Sequence, residues 1–102
     1  MLELRPNCEL CDRDLPPDAA DARICTFECT FCATCVDEAL ENVCPNCGGG
    51  FEKRPIRPKN EHRPGVSLEH RPASTKRIHT KFTRDEIVNF AQGVKAIAPQ
   101  DR

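Results

Sequence analysis

Eight cysteines are confined to the stretch between Cys8 and Cys47, and their spacing is the feature of this chain that could do chemistry. They form four pairs whose members are separated by two or three residues: Cys8/Cys11, Cys25/Cys29, Cys32/Cys35 and Cys44/Cys47. A tight turn of this length aims both sulfurs at one ion about 2.3 Å away, and its backbone N–H groups can hydrogen-bond the thiolates. The spacing therefore predicts eight metal ligands and two Zn2+ ions.

Such cysteine pairs could instead form disulfides, and the redox state of the compartment decides between metal binding and disulfide formation. The N-terminus carries Glu3 and Arg5 where a secretory signal needs a long apolar run, and no stretch approaches the ~18 apolar residues of a membrane span. We therefore expect a cytoplasmic protein that does not enter a membrane and keeps its thiols reduced. Because the cysteine-rich part has few large apolar residues, metal must supply the stability that a small core cannot.

A short helix is predicted over residues 33–43, where apolar side chains recur with helical spacing and acidic residues stand near the start. Cys32 and Cys35 lie at its N-terminal end, where the helix dipole and free N–H groups favour thiolates. A knuckle that carries Cys8 and Cys11 and faces such a helix start is a treble-clef arrangement for one tetrahedral zinc.

Two partitions of the cysteines are open. We favour the interleaved one, because it uses the helix start. Its ligands are Cys8, Cys11, Cys32 and Cys35 at site 1 and Cys25, Cys29, Cys44 and Cys47 at site 2. In the sequential alternative, the first four cysteines bind one ion and the last four bind the other. The predicted fold is a small metal-stabilised α+β domain, a RING-like or treble-clef cross-brace with two zinc sites and one short helix.

Four thiolates around one zinc leave no open position for water, so the pattern argues against an enzyme. No βαβ pattern surrounds a Cys-x-x-Cys pair, which disfavours thiol redox catalysis. An iron–sulfur cluster is the alternative cofactor, because the spacing in CTFECTFCATC, residues 25–35, resembles a reversed ferredoxin run. Phe27, Phe31 and Phe51 are expected to form the small core around the metals.

These motifs resemble two known families. The ligand order over residues 8–47, ending in CPNC, resembles the RING cross-brace, which implies a ubiquitin-ligase module. Cys29 stands where that family usually has His, and Gly48 stands where many active ligases have Arg, which disfavours that activity. The segments MLELRPNCELCDRDLPPDAADARICTFECTFCATC, CPNCGG and KRPIRP resemble a family of small bacterial proteins catalogued as domain of unknown function 1272, which implies no activity.

Charge divides the chain into an acidic and a basic part. Residues 1–50 carry ten acidic and three basic side chains, whereas residues 51–102 carry twelve basic and six acidic ones. We expect a double-zinc head over residues 1–52 and a basic, Pro-rich, largely extended linker over residues 53–82. The basic part could lie over the acidic head or bind nucleic acid, although the pI near 6.3 is not that of a basic binding domain.

An amphipathic helix is predicted over residues 83–98, since Thr83-Arg-Asp-Glu86 is a capping-box pattern and apolar residues follow with helical spacing. Such a short helix is only marginally stable in isolation, so its apolar face must pack against another surface. That surface is the head, a second copy in a homodimer, or a protein partner, and the candidate partner-binding residues are Ile87, Phe90, Val94 and Ile97. Protein interaction or assembly by a structural zinc module is the predicted function, and a nucleic-acid-binding or regulatory zinc protein is the alternative.

Overall fold

Three short strands form one antiparallel sheet. The computed structural model describes all 102 residues. The strands are β1 (Ala22–Ile24), β2 (Thr30–Cys32) and β3 (Glu52–Lys53), arranged in the order β2-β1-β3. Arg23 of β1 lies opposite Phe31 of β2 and opposite Lys53 of β3. The β1–β2 hairpin encloses the loop that carries Cys25 and Cys29, so the sheet sets the position of that pair.

Cysteines make up nearly half of the core cluster. Six of the eight cysteines belong to this cluster of 13 buried apolar residues. Phe31 and Phe51 pack edge to face within it, with ring centroids 5.5 Å apart. Phe27 differs from the expectation, because its ring is 70% exposed. It lies in the turn between Cys25 and Cys29.

The predicted short helix is confirmed, but it is shorter and wider than expected. Helix α1 (Ala33–Cys35) leads into a π-helical turn (Val36–Leu40). Glu41 and Asn42 then adopt left-handed φ angles of +48° and +60°, and both of their N–H groups donate to the carbonyl of Val36. This cap ends the helix before residue 43 and turns the chain back towards the last cysteine pair.

The predicted C-terminal helix is also confirmed. Helix α2 (Arg84–Val94) begins at Thr83, whose hydroxyl accepts a hydrogen bond from the Glu86 N–H, while the Glu86 carboxylate accepts one from the Thr83 N–H. The helix ends at Val94, and a 3-10 turn (Pro99–Asp101) follows. No helix of the protein combines the length and apolarity needed to cross a bilayer.

The segment between the head and α2 has no helix or strand beyond β3, yet parts of it lie against the head. The Ser74 N–H donates to the Leu4 carbonyl at 3.0 Å, and the Thr80 N–H donates to the Glu9 carbonyl at 2.7 Å. Charge reinforces the contact, because Arg77 forms ion pairs of 2.8 and 2.6 Å with Asp12 and Asp14. The attraction expected between the basic part and the acidic head therefore acts within the chain.

Candidate metal centres

Two clusters of thiols lie inside the head, and the first contains four sulfurs. The Sγ atoms of Cys8, Cys11, Cys32 and Cys35 all lie within 4.8 Å of one another. Those of Cys11 and Cys32 are 3.8 Å apart, far beyond the 2.05 Å of an S–S bond, and all eight cysteines are free thiols. Four sulfurs bound tetrahedrally at ~2.3 Å from one ion would stand about 3.8 Å apart, so the cluster has the size of a single-ion site.

Two local structures deliver these four sulfurs. After Cys8 the chain forms a tight turn in which the Asp12 N–H donates to the Cys8 carbonyl at 2.9 Å and Asp12 has a φ of +66°. Cys32 ends β2 and is the N-cap residue of α1, which places Cys35 one turn later at the same end. A knuckle and a helix start therefore meet, in the manner predicted from the sequence.

The second cluster is built on two facing loops. The Sγ atoms of Cys25, Cys44 and Cys47 lie within 4.8 Å of one another, and Cys29 is outside that set. The Cys29 thiol is nevertheless near enough to lower the pKa of Cys25 and to raise the pKa of Cys44. The structure thus groups the sulfurs as the interleaved partition does, with Cys29 at the edge of its cluster. Each cluster could hold a metal ion, and the identity of the ligands stays a prediction.

Backbone N–H groups point at the sulfurs of the second cluster. The Phe27 N–H donates to Cys25 Sγ and the Gly49 N–H to Cys47 Sγ, each at 3.4 Å. The turn after Cys44 closes through a 2.7 Å hydrogen bond from the Gly48 N–H to the Cys44 carbonyl, and Gly48 has a φ of +79°. Such donors spread the charge of a metal-bound thiolate.

The thiols of each cluster shift one another's acidity. Hydrogen bonds from Cys29 and Cys44 lower the pKa of Cys25 to about 3, and the contact with Cys25 raises the pKa of Cys44. In the first cluster, burial raises the pKa of Cys35. One negative charge in such a group opposes the next, so several thiolates can coexist there only around a cation.

Glu9 supports the first cluster, although sequence reasoning missed it. The residue is 2% exposed, and its carboxylate accepts hydrogen bonds from the Thr30 N–H at 2.6 Å and from Arg5 Nη1 at 2.9 Å. Burial raises the pKa of Glu9, and the hydrogen bonds from Thr30 and Arg5 oppose that shift. An acidic residue between two thiols reads as a solvated loop position, so no local signal marked it as buried.

Arg54 is a second residue that sequence reasoning missed. It is 1% exposed, and its guanidinium donates to the carbonyls of Arg5, Leu15 and Pro16 at 2.8–3.1 Å. Burial lowers its pKa. Within a basic, Pro-rich segment it looked like a linker cation, whereas in the fold it ties the strand after the second cluster to the N-terminal loop.

Comparison with known proteins adds a family to this geometry. A family model described as "Protein of unknown function (DUF1272)" matches residues 1–57. The chain belongs to this family. All eight cysteines fall within the DUF1272 segment, and the resemblance seen in the cysteine motifs is confirmed. An uncharacterized protein of Rhizobium meliloti (strain 1021) is 59% identical over 78 residues, which cover 76% of this chain and 86% of that protein. No solved structure matches the chain.

In this DUF1272 protein, helix α2 packs against the π-helical turn of its own head. Ile87 is 1% exposed and belongs to the core cluster, so it is not accessible to a partner. Val94 is half-buried, whereas Phe90 and Ile97 keep exposed side chains. The four predicted partner-binding residues therefore divide between an intramolecular contact and the surface.

Proposed function

We propose that this protein is a structural zinc module with two four-thiolate sites, which acts in protein–protein interaction or assembly. The observation that carries the proposal is the sulfur spacing. The 3.8 Å between Cys11 and Cys32 Sγ equals the separation of about 3.8 Å expected for two thiolates on one tetrahedral zinc. The cross-braced partition, with Cys29 as the fourth ligand of the second site, is part of the proposal.

The donor sets favour a structural ion over a reacting one. Four sulfurs close the coordination sphere of zinc, so neither water nor substrate has a position on the metal. An iron–sulfur cluster would hold its thiolates further apart, because several iron atoms separate them. A single ion fits sulfurs that all lie within 4.8 Å of one another. Zinc in each site would then stabilise the fold by an apparent ~10–16 kcal/mol.

Protein interaction is favoured over nucleic-acid binding by the use of the basic residues. Arg54, Arg57, Arg77 and Arg102 all hydrogen-bond groups of their own chain. Arg77 pairs with two acidic side chains of the head, so part of the positive charge of residues 51–102 is used within the chain and is less available to phosphates. The exposed Phe27 ring lies on the loop between Cys25 and Cys29, and it is an apolar side chain that a protein partner would cover.

Elemental analysis of the purified protein by mass spectrometry tests the metal. We expect two zinc ions per chain, released together with loss of structure when a strong chelator is added. Cys32→Ser and Cys47→Ser should each remove one ion and abolish cooperative folding, whereas Thr34→Ser, next to Cys35 and exposed, should change neither. An ordered protein without metal, or a coloured protein that contains iron and sulfide, would contradict the proposal.

The interaction role needs a separate test. A tagged, zinc-loaded chain should retain a specific partner after nuclease treatment, and Phe27→Ser should lose that partner while Thr26→Ser keeps it. A steep loss of affinity for DNA or RNA with added salt, without any protein partner, would favour the nucleic-acid alternative. Rapid discharge of ubiquitin from a conjugating enzyme would instead reveal ligase activity.

A further inference from the structure

The two thiol clusters differ in how their segments are joined. In the first cluster, the Glu9 N–H donates to the Thr30 carbonyl at 3.0 Å, so a backbone hydrogen bond links the knuckle to β2. The two loops of the second cluster, residues 25–29 and residues 44–47, share no backbone hydrogen bond. The pairing of β1 with β3 aligns only the strands that flank these loops. The second site therefore depends more on its sulfur ligands and on other contacts that hold its loops in place.

Solvent access does not distinguish the two clusters. Each has one exposed thiol, Cys11 in the first and Cys47 in the second, and the other six thiols are buried. A competing metal ion or ligand can therefore approach either site. What differs is the attachment of the loop that carries Cys47.

One arginine bridges both ends of the loop that carries the last cysteine pair. Arg102 donates from Nη1 to the Asn42 carbonyl at 2.7 Å and to the Gly48 carbonyl at 3.1 Å. Asn42 precedes the cysteine pair and Gly48 follows it. The Arg102 Nε donates to the Ile97 carbonyl at 3.0 Å, which fixes the orientation of the guanidinium. A single side chain thus ties the two ends of the loop together.

Two further contacts join the same part of the chain to this loop. Lys95 Nζ forms a 3.1 Å ion pair with the Glu41 carboxylate. A Cβ at Gly50 would lie 3.4 Å from Pro99 Cγ, so the proline ring lies beside that glycine. We call residues 94–102 the strap, because they contact the loop at its start and at its end.

The strap can leave the loop while the start of α2 stays in place. Ile87 and Ala91 are buried and anchor the helix on the head. The side chains of the Lys95 ion pair are 38% and 36% exposed, and such surface contacts are individually weak. Gly93 lies between the anchor and the strap, and a Cβ there would meet no atom within 4 Å, so the packing does not require a glycine. Because glycine disfavours the helix, this position loosens α2 at the boundary.

We propose that the second site exchanges its metal faster than the first, and that the strap sets the rate of this exchange. The inference rests on the proposed pair of metal sites. When the strap leaves, the bridge between Asn42 and Gly48 is lost, and the exposed Cys47 becomes the ligand that is most easily replaced. A thiolate of a metal acceptor takes its position, without oxidation or reduction. One ion per chain is then long-lived, whereas the other exchanges with thiol-rich acceptors in solution.

Addition of excess cadmium ions to the full, zinc-loaded chain tests this order, because cadmium is a soft ion that thiolates bind well. Native mass spectrometry counts the replaced ions, and amide NMR shows which loop responds. We expect one ion to be replaced before the other, with the earliest shifts at Cys44 and Gly49. Arg102→Gln should speed the first replacement about tenfold and leave the second unchanged. Gly93→Ala should slow the first about threefold, since alanine stiffens the boundary. Arg84→Gln, at an exposed position on the anchored start of α2, is the matched control and should change neither rate.

Equal replacement rates at the two sites, or earlier shifts at the Cys8 and Cys11 amides, would overturn the proposal. So would an Arg102→Gln chain that exchanges at the wild-type rate, or one in which both replacements quicken equally, as a general loss of stability would produce. The Ile87 amide should keep its protection from hydrogen exchange in Arg102→Gln, and its loss would mean that the strap is not a separate unit. A starting count other than two ions per chain would contradict the zinc module as well, whereas equal rates at two filled sites contradict the strap alone.

Discussion

Glu9 and Thr30 bond to each other twice: the Thr30 N–H donates to Glu9 Oε2 at 2.6 Å, and the Glu9 N–H donates to the Thr30 carbonyl at 3.0 Å. Glu9 lies in the first knuckle, and Thr30 begins the strand that ends at Cys32. The pair therefore fastens together the two segments that supply the four sulfurs of the first cluster. A metal site at this place requires that alignment of the two segments.

Glu9→Ala should destabilise the metal-loaded protein by about 2–4 kcal/mol, because it leaves the buried Thr30 N–H unpaired and removes a partner of Arg5. Urea unfolding at a fixed free zinc concentration measures the loss. Glu3→Ala is the control, since Glu3 contacts the same arginine at 3.6 Å from an exposed position and should change stability by less than ~1 kcal/mol. Equal effects of the two changes would show that the buried contact is unimportant.

Arg54→Met should lower the free energy of unfolding by about 2–4 kcal/mol, although methionine keeps a long side chain at this position. The change leaves the carbonyls of Arg5, Leu15 and Pro16 without their shared donor. Arg54→Lys should rescue only part of the loss, since an ammonium group cannot span all three acceptors. Thermal unfolding of both variants is compared with that of Lys53→Met, at an exposed position, which should stay near the wild type.

Ile87→Ala tests whether α2 is part of the folded head. We expect a loss of about 2–5 kcal/mol, because the side chain is fully enclosed in the core cluster. Hydrogen exchange of the α2 amides should quicken at the same time. Ile97→Ala, at a position 41% exposed, should leave both properties nearly unchanged. If α2 exchanges freely in the wild type as well, the docking described here does not persist in solution.

Substitution by alanine should change the stability of the protein in opposite directions at two glycines. A Cβ at Gly93 would meet no atom within 4 Å inside α2, so Gly93→Ala should stabilise the protein by about 0.5–1 kcal/mol. Gly48 has a φ of +79° in the turn after Cys44, where Gly48→Ala should destabilise by about 1–2 kcal/mol. Thermal unfolding at fixed zinc measures both, and the same sign for the two variants would refute this assignment of the backbone.

The sequence alone predicted the features that depend on short spacing. The capping box at Thr83 and the helical pattern after it identify α2. The grouping of the pairs was favoured for a local reason as well, since Cys32 and Cys35 lie at a helix start. Each of these depends on residues a few positions apart, so the chain itself carries the signal.

The tertiary structure decided what depends on distant contacts. Residues that look solvated, Glu9 and Arg54, are buried because Thr30 and three remote carbonyls supply their partners. The basic segment lies on the head because Arg77 meets Asp12 and Asp14 across more than sixty residues. The packing of the elements likewise buries the Ile87 side chain in the core and leaves the Phe27 ring exposed. No periodicity records such pairings, because their energy arises only when separate segments meet.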